Sequence, residues 1–162
     1  MDVISGTIIS CKISHSGCWY SIMSAKEKKT FFTRDRIFSL FESCEVALVN
    51  KNCSYFLYDY QNSYDEAPLK KNPRNILAAS WFSALAESLH HLDGTETEFI
   101  NRCSEHLSSG NVDMGKLNDI EKLYLKISGF GDNSESASLF AEFFPEKMRL
   151  RSSLVNQIKR GD

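Results

Sequence analysis

Gln61-Asn62-Ser63-Tyr64-Asp65-Glu66-Ala67-Pro68-Leu69-Lys70-Lys71-Asn72-Pro73-Arg74-Asn75 is the stretch on which the fold turns. It is polar and holds Pro68 and Pro73, and the sequence changes texture across it. Proline fixes φ and removes an amide donor, so neither a strand nor a helix interior runs through such a segment. It predicts a boundary: residues 1–62 form one module, 63–74 a linker and 75–162 a second module.

Upstream of the boundary the residues have strand texture. Val3 to Ile13 is dense in β-branched side chains, and Cys18 to Met23 continues in that style. Ser14-His15-Ser16-Gly17 between them is a turn cluster. The charged Lys26-Glu27-Lys28-Lys29 leads into Thr30-Phe31-Phe32-Thr33, a second hairpin. Asp35 to Ser43 has apolar residues at 37, 38, 40 and 41 and reads as either a short helix or a strand-linking turn. Glu45 to Val49 and Ser54 to Tyr60 are two more strands, joined by Asn50-Lys51-Asn52. Five short strands in roughly sixty residues predict a small Greek-key barrel or sheet.

Downstream, apolar residues recur at helical spacing. Leu77, Trp81, Leu85, Leu89 and Leu92 mark a first helix, with Asn72 as cap, Pro73 in the first turn and Gly94 at the end. Thr95-Glu96-Thr97-Glu98 reads as a capping box opening a second helix that stops at Gly110. A third runs through Met114, Leu117, Ile120, Leu123, Tyr124 and Ile127 and ends at Gly129. A fourth is expected at Ser134 to Phe144, and a last one after Pro145. The fold class is therefore α+β, a small N-terminal β-barrel followed by an α-helical domain.

Composition narrows the function. The chain has 162 residues and a net charge of -2, so no global basic field advertises a nucleic-acid partner, and any such partner needs a local patch. No apolar run reaches the ~18 residues of a membrane span, and Met-Asp-Val-Ile-Ser-Gly does not read as a secretory signal. Cys11, Cys18, Cys44, Cys53 and Cys103 are odd in number and irregular in spacing, and read as reduced core thiols of a cytoplasmic protein. Without a C-x-x-C pair, a four-cysteine zinc site is not expected, and no cofactor or metal is assigned.

No sequence signature points to catalysis. There is no Gly-x-Ser-x-Gly, no His-Glu-x-x-His and no phosphate-binding glycine loop, and helix capping explains Gly129 in Gly129-Phe130-Gly131. His90 and His91 are helix neighbours about 100° apart and do not converge on one metal. Cys103 and His106 share a helix face, but no second ligand pair accompanies them. The chain reads as a binding protein and not an enzyme.

Two basic segments carry the binding argument. Lys26, Lys28, Lys29, Arg34 and Arg36 are close in sequence, beside Trp19, Tyr20, Phe31 and Phe32. Barrels that bind single strands combine a basic groove with exposed rings. The same residues also fit a solvated hairpin above buried aromatics. The second run is Lys147, Arg149, Arg151, Lys159 and Arg160, with no acid between Lys147 and Arg160. It suits an acidic peptide or phosphate backbone, or simply solvates a terminal helix.

The order of elements resembles the RecO family of bacterial recombination mediators. Asn75-Ile76-Leu77-Ala78-Ala79-Ser80-Trp81-Phe82-Ser83-Ala84-Leu85-Ala86-Glu87-Ser88-Leu89 is similar to that family's first long helix. Leu123-Tyr124-Leu125-Lys126-Ile127-Ser128-Gly129-Phe130-Gly131 resembles its leucine-rich helix ending in Gly-Phe/Tyr-Gly. Ile4 to Tyr60 fits its OB-fold in order and length. The chain departs from the family at Asp132 to Ser138, which lacks the four-cysteine zinc element many members carry. The resemblance implies an OB-fold-like barrel, single-stranded DNA binding, annealing and recombinase loading. It also implies two protein partners, the acidic tail of single-strand-binding protein and a RecR-like protein. Lys26, Lys28, Lys29, Arg34 and Arg36 would then meet DNA, and the C-terminal basic run the acidic tail. The competing reading is a protein–protein adaptor without DNA affinity.

Overall fold

The β-branched run at the start of the chain becomes one long strand, β1 (Asp2–Ser14). It is followed by β2 (Gly17–Met23), β3 (Lys28–Thr33), β4 (Ser43–Lys51) and β5 (Ser54–Asn62). This architecture comes from a computed structural model that describes residues 1–63, 66–89, 94–131 and 136–161. The strands close into a barrel in the order β1-β2-β3-β5-β4. Only the β3–β5 pairing is parallel. This is an OB-fold-like, five-stranded Greek-key barrel, as the sequence predicted.

β1 serves both halves of the barrel: Asp2 to Thr7 pairs with β4, and Thr7 to Ser14 pairs with β2. A Cβ at Gly6 would collide with the Met23 carbonyl oxygen, so β1 crosses the end of β2 at a distance only glycine permits. Register then shifts between Ile8 and Ser10. Such a bulge leaves one extra residue, here Ile9, and re-aims its side chain. Ile8 and Ile9 are both fully buried, Ile8 in the barrel core and Ile9 in the helical core.

Asp35 to Glu42 contains no helix; it is an irregular connection from β3 to β4, and Ser43 already opens β4. It is ordered by burial of Phe38 and Phe41 and by Tyr20, whose hydroxyl accepts from the amides of Ile37 (3.2 Å) and Phe38 (3.3 Å). Burial raises the Tyr20 pKa, so the hydroxyl stays protonated. Tyr20→Phe removes the shared acceptor and strands two amides, at a cost of about 1–3 kcal/mol. A shift of the urea midpoint to lower concentration checks this; an unchanged midpoint would show that the hydroxyl does not hold the connection.

The helical half comprises α1 (Pro68–Lys71), α2 (Ile76–Ser88), α3 (Thr95–Ser108), α4 (Met114–Ile127), α5 (Ser136–Phe143) and α6 (Met148–Arg160). Glu87 is the only charged residue in α2, which suits a helix enclosed on most sides. Ala78, Ala79, Trp81, Phe82, Leu85 and Ala86 are all buried. The Ser83 hydroxyl donates to the Ile9 carbonyl at 2.6 Å, which fastens α2 to the bulge. The buried Asn75 amide donates to the carbonyls of Leu107 and Gly110 and accepts from the Val112 amide, so the α3–α4 turn is clamped to the start of α2.

A buried carboxylate joins the last helices to α2. Glu121 on α4 accepts from Trp81 Nε1 at 2.9 Å and from Arg151 Nε and Nη2 at 2.7 and 2.8 Å. The Arg151 guanidinium also lies 5.8 Å from the centre of the Phe140 ring. No described helix is long and apolar enough to cross a membrane.

Several local expectations change. The helix expected from Pro73 begins as a short 3-10 turn, and α2 proper starts at Ile76. Asn72 does not cap it; its side chain donates to Asn111. Thr95 is the first residue of α3 and not its cap, because Gly94 in the left-handed region already turns the chain. Asp113 is a true cap, accepting from the Lys116 amide at 2.8 Å. α4 ends as predicted: Phe130 donates to Leu125 and Gly129 to Lys126, which closes the helix over its own carbonyls. Cys18, Cys44 and Cys103 are buried and burial raises the Cys44 thiol to about 12, but Cys53 is exposed in the β4–β5 turn. His90 and His91 lie outside the described residues.

Candidate nucleic-acid interface

Alternation along β2 and β3 decides which rings point outward. Cys18, Tyr20, Ile22 and Phe31 pack inside the barrel. Trp19 and Phe32 therefore face out, since neighbouring strand residues take opposite faces. In the ladders Lys12 is opposite Trp19, Trp19 is opposite Phe32, and Phe32 is opposite Phe56. Directly opposed residues share a face, so these four form one row across four strands.

The row is a continuous aromatic surface. The centres of Trp19 and Phe32 are 5.2 Å apart and those of Phe32 and Phe56 6.0 Å. All three rings are half-buried, which leaves part of each open. Arg34 and Lys51, both exposed, line with Phe32 and Phe56 a concave surface of about 600 Å³. Lys12 stands at the opposite end, its side chain 73% exposed. Cations at both ends and open rings between them suit a strand that carries phosphates on one side and bases on the other. A second groove, between β1, β4 and β5, is lined by Ser5, Thr7, Ser43, Glu45 and Gln61, and among the described residues on its walls none is basic to meet a phosphate.

The predicted basic residues separate into two groups. Lys26 is exposed in the β2–β3 turn, and Arg34 and Arg36 are exposed beyond β3. Lys28 does not project with Lys26: its ammonium donates to the Glu87 carbonyl at 2.7 Å and joins β3 to α2. Burial there pulls its pKa down. Lys29 points the other way, 2.7 Å from Asp2 and 3.2 Å from Glu27, with its ammonium 4.8 Å from the Tyr55 ring centre. The hydrogen bond to Asp2 raises its pKa. Lys28 and Lys29 both make contacts within the protein, which local sequence conceals because Glu87 and Asp2 lie in distant segments.

The C-terminal run divides in the same way. Lys147, Arg149, Lys159 and Arg160 are exposed. Arg151 is the partner of buried Glu121 and not a surface cation. Tyr20 and Phe31 are core residues, so of the four rings singled out only Trp19 and Phe32 reach the surface. Lys12, Lys51 and Phe56 escaped the sequence reading because cross-strand neighbours are remote in sequence. The alternation of Trp19 against Tyr20, and of Phe32 against Phe31, was the available signal.

On α3, Cys103 is fully buried, and His106 Nε2 is 2.7 Å from Asp119 Oδ2. Among the described residues no group of three or more His, Cys, Asp and Glu side chains is placed to hold a metal ion. No protein-family model matches the chain, and no curated protein matches it.

Proposed function

We propose that this protein binds single-stranded nucleic acid across the outer face of β2, β3 and β5. The observation that carries the reading is the Trp19–Phe32–Phe56 row with Lys12 at one end and Arg34 and Lys51 at the other. Rings stack on any base, and the cations meet phosphate, so the expected binding has little sequence preference. The resemblance to the RecO family extends this to a cytoplasmic mediator of DNA recombination and repair that anneals strands or loads recombinase. The exposed Lys147, Arg149, Lys159 and Arg160 would be available to the acidic tail of single-strand-binding protein, and a RecR-like protein is the other expected partner.

The test is a fluorescence titration with oligothymidylate at low and moderate salt. The chain has two tryptophans; Trp81 is wholly buried, so quenching reports Trp19. Affinity should fall steeply with salt. Phe32→Ala combined with Phe56→Ala should cost about 1–3 kcal/mol per base stacked, or roughly fivefold to 150-fold for each. Wild-type protein that leaves oligothymidylate unbound at low salt would overturn the reading.

One observation favours a second reading, that of a protein–protein adaptor. Phe130 and Phe143 are 41% and 50% exposed, and their rings lie 5.0 Å apart on the helical half. A protein partner recovered after nuclease treatment, with no affinity for oligothymidylate, would favour it.

A further inference from the structure

The outer face of β2 and β3 does not end at the ring row. Two positions along β2 from Trp19 is Ser21, which pairs with Thr30 and shares a 3.0 Å hydrogen bond with it. Ser21, Thr30 and Ser10 line the floor of a cleft of about 440 Å³ between the barrel and the helical half. That is the size of sites that enclose small ligands, so it can admit a nucleotide. Trp19 is part of its lining and also touches Phe32 of the ring row, so the cleft and the row meet at one ring.

The walls of the cleft draw on segments far apart in sequence. Lys12 comes from β1, Lys28 from β3, and Lys147 from the turn before α6. Glu87 and Glu146 are the acids among them. Lys28 uses one of its three donors on the Glu87 carbonyl. Lys12 is 3.5 Å from the Glu87 carboxylate in an exposed pair, the kind that contributes little and that a phosphate can displace. Hydroxyls on the floor and ammonium groups above them match a phosphate–sugar backbone better than a base edge.

The geometry points to a single-stranded track that leaves the ring row at Trp19 and continues into this cleft, where Lys147 of the helical half meets its backbone. This rests on the proposed binding to the barrel face and adds the second half of the path. It also moves Lys147 from a protein-tail contact to a nucleic-acid contact, beside Lys12.

The experiment compares two oligothymidylates on the full chain. One of about 4 nucleotides covers the ring row alone, and one of about 10 reaches the cleft. Lys147→Glu should weaken the longer strand about tenfold, lower its salt slope by about 0.7 and leave the shorter strand unchanged. Glu146→Gln, which removes a negative charge from the same wall, should tighten the longer strand only. Both residues are exposed, and circular dichroism of each variant should match the wild type. If both variants leave the longer strand unaffected, or change both strands equally, the track through the cleft is wrong while binding on the rings stands. If the wild type binds neither strand, the ring-row reading fails and this inference fails with it.

Discussion

Arg151→Met should destabilise the protein by about 3–5 kcal/mol, a large fraction of the 5–15 kcal/mol typical of a domain. The cost arises mostly from what is left behind. Glu121 is 1% exposed and Arg151 13%, so the carboxylate has no route to water once its partner is gone. Trp81 Nε1 supplies one remaining donor, too little to replace a two-pronged guanidinium. The reverse substitution, Glu121→Gln, should cost less, because it keeps an acceptor for Trp81 and Arg151 lies nearer solvent. Combining the two should recover much of the Arg151→Met loss, since the buried charge disappears with its partner. Chemical denaturation of the three variants measures the coupling. Simple additivity would mean that the pair does not act as a unit.

Trp81→Ala should cost a similar amount, about 3–5 kcal/mol, by a different route. Trp81 is wholly buried, and its ring meets Phe140 at 5.5 Å and Phe144 at 5.9 Å, edge to face in both cases. Truncation opens a cavity between α2 and the last two helices and removes a donor from Glu121. Trp81→Phe separates the two effects. It keeps most of the aromatic volume and loses the Nε1 donor, while Arg151 still holds the carboxylate, so it should cost only about 1 kcal/mol. It also leaves Trp19 as the sole tryptophan, and any fluorescence change on adding oligothymidylate then belongs to the barrel face. A Trp81→Ala variant as stable as the wild type would show that α5 and α6 do not depend on this ring.

These two residues show how far sequence alone reaches. Trp81 was legible as core because Leu77, Trp81 and Leu85 repeat at helical spacing. Arg151 was not, because its charge within a basic run carries the same local signal as Arg149, which is exposed. What differs is Glu121, on another helix. The five strands were readable from β-branched runs and turn clusters, but β3 begins at Lys28, where charge masks the alternation. The ring row was half legible. Trp19 and Phe32 stood out beside their buried neighbours, whereas Phe56, Lys51 and Lys12 join them only through pairing between strands. Gly94 displaced the expected cap at Thr95 because a left-handed glycine changes chain direction without any side-chain bond.

The extra residue at Ile9 has a consequence for how this chain can be divided. A cut at the proline-rich boundary looks clean in the sequence, yet the barrel carries a greasy seam on its outer side. Ile9, Met23 and Phe41 belong to the first sixty-odd residues but fill the interior of the remainder. The barrel is therefore not a portable cassette. Excised alone it would show that seam to water, and transplanted onto another protein it would need a substitute for α2. Removing Ile9 would leave the alternation of β1 intact, since Ile8 and Ser10 already face opposite ways, and would cost the barrel the side chain with which β1 grips α2.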